Sequence, residues 1–83
     1  MTKELILYST EGCHLCEMAS ELLHSVGLSL QFETIDIAFN DDLFERYGVT
    51  IPVVATNTSE LNWPFDIYQL QQWLNLNGIT YHS

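Results

Sequence analysis

The chain opens on a short apolar run. Glu4–Tyr8 carries Leu5, Ile6, Leu7 and Tyr8 without a polar break, the pattern of a strand covered on both faces and therefore central in its sheet. Gly12 ends that run, and from Cys13 the spacing becomes helical. Leu15, Met18, Ala19, Leu22, Leu23 and Val26 share one face, Glu17, Ser20, Glu21 and His24 the other, and Gly27 closes the helix. Leu30–Ile37 predicts a second strand. Because a helix joins these two strands, they are expected to run parallel with a right-handed crossover. Asn40, Asp41 and Asp42 offer N-caps to a short helix bearing Leu43, Phe44 and Tyr47, stopped by Gly48. Pro52–Thr56 and Glu60–Phe65 predict a hairpin across the tight Asn57-Thr58-Ser59 connection. Asp66 caps a last helix with Gln69 three residues on, an approximate capping box. Ile67, Leu70, Trp73 and Leu74 form its buried stripe, and Gly78 ends it. The order is β-α-β-α-β-β-α, an α/β fold with a four-stranded mixed sheet and three helices. No repeat, linker or low-complexity segment divides residues 1–83, which are expected to form one domain.

Composition narrows what such a domain can do. Hydrophobic residues make up 47% of 83, enough for a core without metals or a lattice of disulfides. Eleven Asp and Glu face two Lys and Arg, for a formal charge of −9. That balance excludes a nucleic-acid footprint and docking on anionic lipid. The longest apolar runs, Leu5–Tyr8 and Pro52–Ala55, are far shorter than the roughly 20 residues of a membrane span. The first residues lack the pattern of a signal peptide, so a cytoplasmic address is expected, and a monomer with it.

The two cysteines, Cys13 and Cys16, form a C-x-x-C. A disulfide closing so short a loop constrains the unfolded chain little, and a cytosolic redox poise opposes it, so chemistry explains the pair better than stapling. Cys13 falls at the start of a helix, where unpaired N–H groups and the macrodipole favour a thiolate; Glu11 and Glu17 oppose that charge. Cys16 lies one turn deeper on the same face. Cys13 is thus the candidate nucleophile and Cys16 the thiol that resolves the mixed disulfide. Two other readings stand beside this one: a vestigial pair on a binding module, and a metal half-site. Zinc wants four ligands, and His14, His24 and His82 complete no recognisable spacing, so no metal is expected.

The motif's surroundings resemble a known family. Leu7-Tyr8-Ser9-Thr10-Glu11-Gly12-Cys13-His14-Leu15-Cys16 resembles the active-site segment of the thioredoxin superfamily, and most closely that of small bacterial glutaredoxin-like proteins. Arg46-Tyr47-Gly48-Val49-Thr50-Ile51-Pro52-Val53 resembles the segment that bears their cis-proline. Leu61-Asn62-Trp63-Pro64-Phe65-Asp66 resembles the edge strand and last helix cap of a glutaredoxin-like subgroup. The likeness spans essentially the whole chain. It implies a minimal thioredoxin-like fold, a cis Ile51–Pro52 bond, and a substrate groove along Thr50, Ile51 and Pro52 in which the backbone at Ile51 pairs with substrate like an added strand. His14 and Trp63 flank that groove: His14 either tunes Cys13 or stands free, and Trp63 either packs or rims the groove for a partner.

Three departures separate the chain from glutathione-using glutaredoxins. Ser9, Thr10 and Glu11 stand where a lysine usually precedes the first cysteine. Asn62-Trp63-Pro64-Phe65 replaces a Gly-Gly pair before the last helix. His14-Leu15 replaces Pro-Tyr between the cysteines. Fold and dithiol chemistry carry over; glutathione binding does not. Glutathione is itself an anion, which the −9 charge repels, so neutral or basic partners are favoured. The expected activity is thiol–disulfide exchange on protein disulfides, with no bound organic cofactor and an electron donor the sequence does not name. The alternative is a non-enzymatic adaptor or redox-sensing module using the same groove.

Overall fold

Leu5–Ser9 form the strand on which the rest is assembled. In the computed structural model, which describes residues 5–28 and 31–79, this strand (β1) lies inside a four-stranded sheet. The other elements are α1 (His14–Ser25), β2 (Phe32–Asp36), α2 (Asp41–Tyr47), β3 (Val53–Ala55), β4 (Glu60–Asn62) and α3 (Ile67–Leu76). The sheet order is β2-β1-β3-β4. β1 runs parallel to β2, with Leu7 opposite Thr34, and antiparallel to β3, with Leu7 opposite Val54. β3 and β4 form the expected hairpin, Val53 opposite Asn62. The element order is thus β-α-β-α-β-β-α, with one turn of 3-10 helix at Ile37–Phe39 added before α2.

Alternation along β1 gives the sheet two unlike faces. Leu5 and Leu7 join Val54 and the inner faces of α1 and α3 in the larger core, with Ala19, Leu23, Leu70, Trp73 and Leu74. Tyr8 and Val53 point the other way, to a smaller cluster with Ile37, Tyr47 and Leu43 under α2. Capping follows the sequence closely. Asn40 accepts from the Leu43 N–H, and Asp66 and Gln69 close a complete capping box. Gly78, at φ 69°, turns the chain out of α3. Gly48 follows α2 with right-handed backbone, yet a Cβ there would meet the Phe44 carbonyl oxygen at 2.5 Å. Its role is close approach.

The structure corrects several expectations. Leu15 and Met18 do not join the core: they are 45% and 40% exposed. α1 meets the sheet along Cys16, Ala19, Leu23 and Val26, a narrower stripe than the apolar pattern: at about 100° per residue, Leu15 and Met18 fall on its flank. Of the three apolar residues expected on α2, Leu43 and Tyr47 turn inward to the small cluster and Phe44 is exposed. The strands are shorter than expected. β2 ends at Asp36, whose carboxylate caps the 3-10 turn at the Ala38 N–H. β3 spans only Val53–Ala55, and β4 stops at Asn62 ahead of the cis Trp63–Pro64 bond, which the sequence did not announce. Glu4, Leu30 and His82 lie outside the described residues.

The smaller face holds a coupled polar group. The Tyr47 ring stacks on Tyr8 at 4.3 Å, its hydroxyl donates to Glu60, and the Arg46 guanidinium lies 5.2 Å from the ring centre. Burial first, then the Glu60 hydrogen bond and charge, push the Tyr47 phenol up from 10.0 to about 12; Tyr8 adds to this and Arg46 opposes it. A raised acid favours folding in its neutral form. That contribution is whole below pH 10 and is lost as pH rises toward 12. Alkaline denaturation should therefore show a stability loss across this window that Tyr47→Phe lacks; superimposable pH profiles would contradict it.

Candidate active site

β1 runs out at Ser9 into Thr10-Glu11-Gly12, and Gly12 takes φ 77°, a conformation that strains any side chain. This turn delivers Cys13 to the N-cap of α1. The Cys13 sulfur accepts the Cys16 N–H at 3.2 Å, the place an oxygen occupies in an ordinary cap. Cys13 and Cys16 are joined in a disulfide, with Cα atoms 5.2 Å apart, well inside the bridging range. Cys13 is half-buried and Cys16 almost wholly buried. The pair can therefore store and release two electrons, with its accessible sulfur at a helix terminus that stabilises a thiolate.

Thr50, Ile51 and Pro52, expected to line a groove, arrive from the other half of the chain. Tyr8 pairs with Val53, so Ile51 and Pro52 enter the sheet at the end where β1 leads to Cys13. The Ile51–Pro52 bond is cis. Thr50 and Ile51 both donate their N–H groups to the Tyr47 carbonyl, at 2.9 and 3.1 Å. The Ile51 N–H is thus engaged within the chain. The Trp63 N–H donates to the Pro52 carbonyl at 3.2 Å, which fixes Trp63 beside the proline. The Trp63 side chain packs edge-on against Phe65 and the larger core. The His14 Nδ1 lies 3.8 Å from Glu17, and both side chains are highly exposed. Val49, 98% exposed, and Leu15 add apolar surface at the same end of the fold.

Two cavities were not legible in the sequence. One of about 290 Å³ lies against the disulfide on the β2 side, bounded by Ser9, Glu11, Cys13, Cys16, Glu17 and Thr34. None of Thr50, Ile51, Pro52, His14 or Trp63 lines it. The second, about 680 Å³, lies on the opposite face between Tyr8, Arg46, Tyr47 and the hairpin, and contains neither cysteine. Parallel pairing of Leu7 with Thr34 could have suggested the first; nothing local joins the walls of the second. Among the described residues no group of three or more His, Cys, Asp and Glu is placed to hold a metal ion, and no helix is long and apolar enough to cross a membrane.

Comparisons with known proteins agree with this geometry. A family model described as a glutaredoxin-like domain (DUF836) matches residues 4–75. The X-ray structure of protein XcR50 from X. campestris is similar at 36% identity and TM-score 0.79, covering 87% of this chain and 96% of that one. Protein Ne2328 from Nitrosomonas europaea is similar at 31% identity and TM-score 0.61, covering 88% and 92%. Thioredoxin 1 from Thermosipho africanus shares the fold alone, at 15% identity and TM-score 0.51, covering 89% and 97%. No curated protein matches the chain.

Proposed function

The chain belongs to the glutaredoxin-like domain family, and from that premise we propose that it is a thiol–disulfide oxidoreductase acting on protein disulfides. The observation that carries this reading is the Cys13–Cys16 disulfide at the N-terminus of α1, with the less buried sulfur held in the cap. The reduced Cys13 thiolate attacks one substrate sulfur. A Cys13–substrate bond forms, the substrate disulfide breaks, and its departing thiolate takes a proton. Cys16 then loses its proton and attacks the Cys13 sulfur, forming the intramolecular disulfide and releasing the second substrate thiol. Two electrons pass from the protein dithiol to the substrate, and a thiol or dithiol donor restores the starting state.

Thr50, Ile51 and Pro52 are the groove for the substrate backbone, and Trp63 supports that groove through Pro52. Because the two sulfurs carry both electrons, the exchange asks for no bound organic cofactor. The donor set against the disulfide suits glutathione poorly: among the described residues, two carboxylates and no basic side chain line the cavity. The partners are a protein disulfide and a separate electron donor, not nucleic acid, and the location is cytoplasmic. The test is reduction of insulin disulfides driven by dithiothreitol. The protein should accelerate it, and Cys13→Ser should return the rate to the uncatalysed background, a fall of more than about a hundredfold at saturating protein. Equal rates with the native chain and Cys13→Ser would end this reading in favour of a binding module.

A further inference from the structure

We propose that the cavity beside the disulfide selects substrates bearing a lysine or arginine side chain next to the cystine, and that Glu11 and Glu17 recognise that cation. The inference rests on the oxidoreductase reading and names its substrate class.

The cavity is shaped for a side chain that is apolar along its stem and cationic at its tip. Leu7 lies at its base, with hydroxyls from Ser9, Thr10, Ser20 and Thr34 around it. Among the described residues, the formal charges in its wall are the carboxylates of Glu11 and Glu17, on either side of Cys13 in the sequence. Ser9 is only 8% exposed and still lines this cavity, so its hydroxyl adds a polar group to an otherwise covered wall. An ammonium or guanidinium group has only donors and suits a hydroxyl oxygen and two carboxylates. Its methylene stem can lie against Leu7 while the charge stays near solvent.

Cys13 and Cys16 form part of the same wall, so a cation held there belongs to a residue close to the cystine under attack. His14 meets Glu17 from outside the cavity at 3.8 Å, an exposed pair too weak to remove the carboxylate from use. The −9 charge of the whole chain steers the same class of substrate inward and turns anionic disulfides away.

The test mixes the reduced protein with three peptides, each closed by one intramolecular disulfide and identical except for lysine, glutamine or glutamate beside a cysteine. The second-order rate of protein oxidation is measured for each. The ratio between peptides is the readout, because any change in Cys13 reactivity scales all three alike. The lysine peptide should react about fivefold faster than the glutamine peptide, with glutamate slower again, the scale of one or two exposed charge pairs. The spread should shrink in roughly 1 M salt, where the Debye length is about 3 Å, and in the Glu11→Gln, Glu17→Gln double variant. Equal rates for the three peptides overturn the inference and leave the oxidoreductase reading standing. A spread that persists in the double variant overturns the assignment to these two carboxylates. Failure of every peptide to outpace its reaction with Cys13→Ser overturns both.

Discussion

Cys16→Ser should turn the protein from a catalyst into a trap. The variant keeps Cys13 at the N-cap, where backbone N–H groups still stabilise its thiolate, so attack on a substrate disulfide proceeds. The serine hydroxyl cannot then displace the substrate, and the mixed disulfide persists until an external thiol arrives. Turnover with insulin should fall more than about a hundredfold, and a covalent adduct that dithiothreitol reverses should appear on a non-reducing gel. Cys13→Ser should lose turnover equally and form no such adduct, because the remaining sulfur is almost wholly buried on the inner stripe of α1. The two variants thus fail at different steps. Adducts of equal yield from both would show that either sulfur can begin the exchange, and the assignment of nucleophile and resolving thiol would fall.

The largest expected change in stability comes from α3. Leu70→Ala removes a side chain with no exposed surface from the centre of the larger core, where it meets the sheet and α1. Such truncations cost about 2–5 kcal/mol, set by how far the surroundings can close over the gap. Closure is restricted here. The capping box fixes one end of α3, and the Trp73 indole N–H donates to Ser59 at 2.9 Å, tying its middle to the hairpin. The cost should therefore lie in the upper half of that range. Small domains have roughly 0.05–0.15 kcal/mol of stability per residue, so the loss is a large share of the total. Urea denaturation should show a much lower midpoint with an unchanged slope. A midpoint shift worth less than about 1 kcal/mol would mean that the core repacks despite these ties.

Local chemistry made much of this fold legible. The capping box at Asp66 and Gln69 and the Asn40 cap are short-range devices, and each falls where the sequence places it. Cys13 at the start of α1 was legible for the same reason: a glycine, a cap position and a helical apolar repeat follow one another directly. Periodicity overstated the core, because it groups Leu15 and Met18 with the apolar face although they fall on the flank of the stripe that packs. Strand lengths also depend on the partner strand, so β3 and β4 could not be bounded from their own residues. Least legible were the clusters built across distance. Tyr8, Tyr47 and Glu60 meet from three separate elements, and Ser9 and Thr34 reach one cavity only through parallel pairing. The Ile51–Pro52 segment lay between. Nothing in its own composition sets it beside Cys13; the family resemblance suggested the neighbourhood, and the β1–β3 register supplies it.

That register also divides the candidate site between the two halves of the chain. β1, α1 and β2 come from the first half and carry the cysteine pair, whereas β3 brings Pro52 to β1 from the second half. A substitution that breaks the pairing of Val53–Ala55 with Ile6–Tyr8 would therefore part the proline from the cysteines while leaving both cysteines on their own helix.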